Sequence, residues 1–339
     1  MPDTVFVPGM ATAIGSLPHR DAGAAAALVL RCLPELPAAP QLPVRTPLES
    51  FVAQWARAID GIHVEPDGSL TVTRKLDSRV EIDPTFDSLA HGGLLAFLDA
   101  AASMPAPPRR IKAQCAGPLT LGVALVEAGV DIDTACALGA RTARAWSRAL
   151  EQLVTARLPN AALVLCFDEP ALVCAGGRSE PKVCELVDRE YATDVLSTAL
   201  AAPACLTAVH VCGRGDVRLA LDAGPRLVHL DSGALDLDDA VILTRFLEGG
   251  GWVIWGAIPT DRPVGEHAAP IWKALLEVWC ELTRRGCDPS LLRSQALVAP
   301  ACGLAGHGVS QAEHSMLLAR EIGGRVHDHG VATKLAIGA

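Results

Sequence analysis

The residues most able to do chemistry fall at three separated places: His210 and Cys212 with one residue between them, Asp231, and Cys302. Imidazole and thiolate are both good zinc ligands. Side chains alternate along a strand, so residues two apart point the same way, and His210 with Cys212 can grip one ion from a single strand. Spacing alone supports this weakly, because 10 His and 11 Cys among 339 residues yield roughly 0.3 such pairs by chance. A buried cysteine beside a hydrogen-bonded histidine is the competing reading. A metal site is favoured by Cys302 at the end of another apolar run and Asp231 at the end of the run next to that of Cys212. Two cysteinates and a carboxylate make a zinc site formally anionic, which keeps a bound thiolate electron-rich. Such a donor set suits alkyl transfer to sulfur. A zinc hydrolase relies mainly on His and carboxylate ligands with a general base, and no HExxH occurs.

Positioning these residues requires strands that end together. Short apolar runs that close on polar or Gly/Pro-rich turns, each followed by helical periodicity, predict βα units and a parallel sheet. The runs are Thr12 to Leu17, Gln41 to Val44, Ile111 to Cys115, Ala162 to Phe167, Leu206 to Val211, Arg226 to Leu230, Trp252 to Ile258 and Gln295 to Ala299. Eight runs predict an α/β protein of the (β/α)8 TIM barrel class. Helical patterns lie between them, the longest from Asp131 to Leu158, with others near Val183 to Ala201 and His267 to Arg285. Ser310 with Glu313 reads as a capping box for the last helix. The segment from Gly61 to Leu76 alternates around Asp67-Gly68 and reads as a β-hairpin inserted after the second unit. No linker or repeat divides the chain, so residues 1–339 are expected to form one catalytic domain.

In a parallel barrel the active site sits at the carboxyl ends of the strands. The residues just past the runs include Gly15-Ser16, Asp168-Glu169-Pro170, His210-Val211-Cys212, Asp231-Ser232 and Cys302-Gly303. Asp168, a carboxylate at a strand mouth, could serve as a general base, a structural ion pair or a charge partner for a substrate ammonium, and Glu169 is read as a support for its loop. His229, two positions before Asp231, is expected to point inward below the rim, and His327 and His329 are read as solvated residues of a late turn.

A net charge of -9, with no long basic run, argues against nucleic acid as a partner. No stretch of 18 apolar residues exists, and the start MPDTVFVPGM lacks a basic region followed by an apolar one. The expectation is a cytoplasmic protein without membrane association, in which most cysteines are small core residues.

The motifs Ile14-Gly15-Ser16, Gly117-Pro118-Leu119-Thr120, Asp168-Glu169-Pro170-Ala171-Leu172, His210-Val211-Cys212-Gly213 and Cys302-Gly303-Leu304, in this order, resemble the catalytic domain of cobalamin-independent methionine synthases. These belong to the wider uroporphyrinogen-decarboxylase-like barrels. The resemblance implies that His210, Cys212 and Cys302 ligate a catalytic zinc ion. It also implies that Asp168 binds the amino group of homocysteine, and that the backbone of Ile14, Gly15 and Ser16 holds its carboxylate. Three departures stand beside it. Asp231 occupies the place of a ligating glutamate and is one methylene shorter. Glu49 lies near, but out of register with, the family's glutamate after strand two. Pro259-Thr260-Asp261 replaces an Asp-x-His whose histidine serves the folate donor. With only the catalytic half represented, the resemblance implies a core-only form that takes its methyl group from methylcobalamin or a corrinoid protein, with a small-molecule thiol as acceptor. Three alternatives remain: alkyl transfer to another thiol such as coenzyme M, a metal-free decarboxylase, and a corrinoid-handling protein without turnover.

Overall fold

The computed structural model describes residues 6–173 and 186–337. Residues 1–5 of the opening segment, and residues 183–185 of the helix expected from Val183 to Ala201, lie outside the described residues. Two short strands, β1 (Ile62–Val64) and β2 (Leu70–Val72), form an antiparallel pair. Gly68, in the turn between them, has φ +88°, a conformation that side chains with a Cβ rarely adopt.

Six parallel strands build one sheet in sequential order: β3 (Arg110–Ala116), β4 (Ala162–Asp168), β5 (Leu206–Val211), β6 (Leu227–Asp231), β7 (Trp252–Ile258) and β8 (Ala296–Pro300). They coincide with six expected runs to within about a residue because both of their faces are buried, which makes them almost continuously apolar. The inner face packs Val164, Cys166, Ala208, Leu227, Ile254, Leu297 and Ala299 against Phe6, Met10 and Leu36. The outer face meets the surrounding helices through Leu165, Phe167, Val209, Val228 and Val253.

The runs from Thr12 to Leu17 and from Gln41 to Val44 are not continuous strands. Their neighbourhood contributes single parallel bridges, Ala11 to Val298 of β8, Ser16 to Gln41, and Ala38 to Lys112 of β3. Pro8, Pro37, Pro40 and Pro43 lack the N–H that a ladder needs, and Gly15 leaves the extended region at φ +114°. Two interrupted segments thus run between the edge strands β8 and β3.

The long helix Ile132–Arg157 starts where Asp131 accepts a hydrogen bond from Thr134 N. The last helix, Val309–Ile337, begins one residue before Ser310, so Ser310 falls inside its first turn and Glu313 pairs with Arg31 at 2.6 Å. His327 and His329 belong to this helix rather than to a turn, and the His329 ring stacks on Trp272 with centroids 5.2 Å apart. Gly323 of the helix packs so closely on Gly9 that a Cβ at either would lie 2.0 to 2.1 Å from the other's carbonyl oxygen. No helix among the described residues is long and apolar enough to cross a membrane.

Two motifs far apart in the chain are one device. The helix Pro118–Glu127 leaves its first N–H groups unpaired. The buried Glu169 carboxylate accepts from Leu119 N at 3.0 Å, Thr120 N at 2.8 Å and Thr120 Oγ1 at 2.6 Å. This locks the turn that follows Asp168. Gly117 makes room, since a Cβ there would stand 2.2 Å from the carboxyl group. Its φ of -72° suits any residue, so the obstacle is steric. Gly117→Ala is expected to cost about 1–3 kcal/mol through overpacking, against a gain of about 0.4–1 kcal/mol from restricting the unfolded chain. Chemical denaturation of the two proteins measures the balance, and a net stabilisation would contradict this packing.

Candidate metal centre

The carboxyl ends of the strands carry the polar groups. His210 is in β5 and pairs across the sheet with Asp168, the last residue of β4, and with His229 in β6. Cys212 lies just past β5, and Cys302 two residues past β8. The ligand atoms of His210, Cys212 and Cys302 all lie within 4.8 Å of one another, and the two sulfurs are 3.5 Å apart. Residues 90 apart in sequence therefore meet at one point.

Several features of this cluster fit a metal ion. Two sulfurs on a tetrahedral ion, each at about 2.3 Å, stand about 3.8 Å apart. His210 is 3% exposed, and neither ring nitrogen has a hydrogen-bond partner among the described residues. A buried imidazole with both nitrogens unpaired is costly, and a metal bond would relieve it. The hydrogen bond between the two thiols, with the His210 imidazole nearby, pulls the Cys302 thiol below the ordinary cysteine range. That same hydrogen bond, followed by burial, pushes Cys212 up. The pair thus gives up one proton readily and holds the other, and a divalent cation would take both places.

Asp231, the last residue of β6, lies outside this group of three. Its Oδ1 accepts from Gly233 N at 2.9 Å, and burial pushes its carboxyl group up. His229 is fully buried below the cluster, its ring centroid 4.5 Å from that of His210. Its Nε2 contacts Pro300 O at 3.1 Å, and burial, with His210 beside it, keeps the ring neutral. Gly256 makes this possible, because a Cβ there would meet Leu230 O at 2.8 Å and His229 Nε2 at 3.2 Å.

Asp168 is 4% exposed and faces the Cys166 thiol at 3.8 Å. Burial pushes its carboxyl group up, while His210 and Lys112 oppose the shift. The segment Ile14-Gly15-Ser16 is tied to the cluster by Leu304 N, which donates to Ser16 O at 2.8 Å. A Cβ on Gly303 would lie 2.9 Å from the Cβ of Ser16. Glu49 is buried, with Oε1 accepting from Gly93 N at 2.9 Å and facing Arg45 at 3.2 Å.

Sequence reasoning passed over Lys112, Gln114, Gln41 and Gln54, which are 0%, 3%, 6% and 1% exposed. The signal was present in β3, where Lys112 and Gln114 alternate with the apolar Ile111, Ala113 and Cys115.

Together these features define a parallel α/β protein with a His/Cys/Cys cluster at the carboxyl ends of its strands. Its fold is similar to that of a B12-independent methionine synthase from Shewanella sp. W3-18-1 in complex with selenomethionine, with TM-score 0.63 and 14% identity over 96% of this chain and 99% of that one. An uncharacterised protein superposes with TM-score 0.32 and 12% identity, over 71% of this chain and 68% of the other. No family model matches the chain, and no curated protein matches its sequence. The first likeness establishes a shared fold.

Burial raises Glu169 from 4.5 to about 7, against the hydrogen bonds from Thr120 and Leu119. The folded chain therefore binds more protons than the unfolded chain between those values, and stability falls as pH rises through that window. At about 1.4 kcal/mol per pKa unit the full effect is about 3 kcal/mol. Glu169→Gln removes the titration, so the difference in unfolding free energy between variant and parent should shift in the variant's favour from pH 4.5 to pH 7. A difference constant with pH would contradict a raised Glu169.

Proposed function

We propose that this protein is a zinc-dependent methyltransferase that passes a methyl group to a thiol such as homocysteine, giving methionine. The observation that carries the reading is the convergence of one imidazole and two thiols, drawn from two separate strand ends, on a single point. The similar fold of the methionine synthase supports it. His210, Cys212 and Cys302 would hold the ion, with Asp231 as a candidate fourth ligand. When bound, zinc supplies the means to present the acceptor sulfur as a thiolate at neutral pH.

The remaining roles belong to the chain. The Asp168 carboxylate, held by the long hydrogen bond from Cys166, pairs with the acceptor's ammonium group. The backbone of Ile14, Gly15 and Ser16 receives its carboxylate. Glu169 keeps the turn after β4 in place by holding the helix Pro118–Glu127. Methyl transfer forms the sulfur–carbon bond as the donor's bond to carbon breaks, the electron pair leaving with the donor. No protein base is needed for the transfer itself, since the acceptor's thiol proton would pass to solvent when the sulfur is taken up as a thiolate.

The two bridged segments, 11–16 and 38–41, are read as the first and second units of a (β/α)8 barrel. The pair β1/β2 is then inserted after the second unit, and the whole is one catalytic domain. Methylcobalamin or a corrinoid protein is the proposed donor, because Pro259-Thr260-Asp261 supplies no histidine for a folate nitrogen. A reducing cytoplasmic setting would keep the cluster's thiols free.

Metal analysis of purified protein is expected to give about one zinc per chain. Loss of an outer-shell partner typically costs 10–100-fold, so Cys212→Ser and Cys302→Ser should lower methionine formation from homocysteine by at least about 100-fold. Metal-free protein that retains full activity would overturn the reading. Product formed from methyltetrahydrofolate alone would overturn the assignment of the donor.

A further inference from the structure

The inner face of the sheet holds a lysine for which the roles above have no use. Lys112 is fully buried in β3, and among the described residues no carboxylate lies within ion-pair distance of it. Its Nζ donates to Gln114 Oε1 at 2.6 Å. An ammonium placed this way is costly, because burial removes water that a single amide oxygen replaces only in part. Such a group calls for a structural or functional return.

That return is visible in the bonds beyond Gln114. Its Nε2 donates to Gln41 Oε1 at 3.1 Å, Gln41 Nε2 donates to Gln54 Oε1 at 2.7 Å, and Gln54 Nε2 donates to Ala90 O at 2.6 Å. An amide side chain can be turned either way, and only its partners decide which end is oxygen. Lys112 has no acceptor to offer, so Gln114 must present its oxygen. That choice fixes Gln41 and then Gln54, and the backbone carbonyl of Ala90 agrees with it at the far end. The buried ammonium at one end and the Ala90 carbonyl at the other therefore require the same direction of all three amides, and the lysine anchors the end nearest β3.

The chain of amides acts on the acceptor end of the site. Gln41 N donates to Gly15 O at 2.8 Å, and Leu17 N donates to Gln41 O at 2.9 Å. Gln114 Nε2 fills the space beside Gly15, where a Cβ would lie only 2.0 Å from it. The same segment touches Gly303, next to Cys302. Continuous sheet hydrogen bonding is missing here, since Ser16 and Gln41 form an isolated bridge, so side-chain bonds carry more of the burden of fixing this backbone.

We propose that Lys112 is a positioning residue: by polarising the Gln114, Gln41 and Gln54 chain, it fixes the backbone of residues 14–17 against the His210, Cys212 and Cys302 cluster. The link to catalysis rests on the function proposed above, in which this segment holds the acceptor's carboxylate, whereas the ordering of the segment by Lys112 stands without it.

The test is Lys112→Met, which keeps a long unbranched side chain and removes the donor. Amide hydrogen exchange of residues 11–17 should accelerate by about tenfold or more while β5 and β6 stay protected. In a zinc-replete sample, KM for homocysteine should rise about tenfold with kcat within about threefold. Unchanged exchange at residues 11–17, uniform acceleration across the sheet, or a collapse of kcat at constant KM would each overturn the proposal. If Lys112→Met does not fold, Gln54→Met breaks the chain from its other end with the lysine in place, and it must accelerate the same amides for the proposal to stand. Should the parent protein fail to methylate homocysteine, the functional reading falls, and the exchange measurement alone decides the role of Lys112.

Discussion

Two thiols 3.5 Å apart cannot both carry charge unless something positive stands between them. That repulsion constrains the rest of the site. Beside the pair lies an imidazole whose two nitrogens have no hydrogen-bond partner among the described residues. A folded protein that holds such a grouping has placed electrostatic stress at the ends of its strands, and the surrounding residues are arranged around it. His229 sits neutral below, Asp168 is buried beside it, and the buried lysine of the inner sheet face lies deeper in β3.

The sheet itself was largely legible in the amino-acid order. Strands buried on both faces announce themselves as unbroken apolar runs, as in Ala162–Asp168 and Trp252–Ile258. The cluster could be anticipated for a related reason, since each of its members lies at or just beyond the end of such a run. The first two runs were misleading because their apolar composition matches a strand, while proline nitrogens and the Gly15 conformation limit them to single bridges. The capping box at Ser310 failed because the helix already begins at Val309, which puts Ser310 inside its first turn, and Glu313 instead pairs with Arg31, 282 residues away.

Other features could not be read locally. That Glu169 secures a helix beginning at Pro118 depends on a contact across about 50 residues, although both motifs are plain in the sequence. The polar alternation of Lys112 and Gln114 was visible in β3, but its meaning required Gln41 and Gln54 from two other segments. Polar residues within an apolar run were thus the most informative places in the sequence, because each must find partners that only the fold can supply.

The contact between Gly9 and Gly323 bears on how the molecule is made. Synthesis delivers the chain from its amino end, and the sheet can pair its neighbours in order, β3 with β4 and so on to β8. The segment around Gly9, however, hydrogen-bonds to Ala296 and packs against the helix Val309–Ile337, which follows every strand of the sheet. This segment therefore cannot complete its packing until Ala296 and then Gly323, more than three hundred positions after Gly9, have been made. Its apolar neighbours Phe6 and Met10 stay uncovered during that interval, because the inner sheet face they pack against is not yet complete.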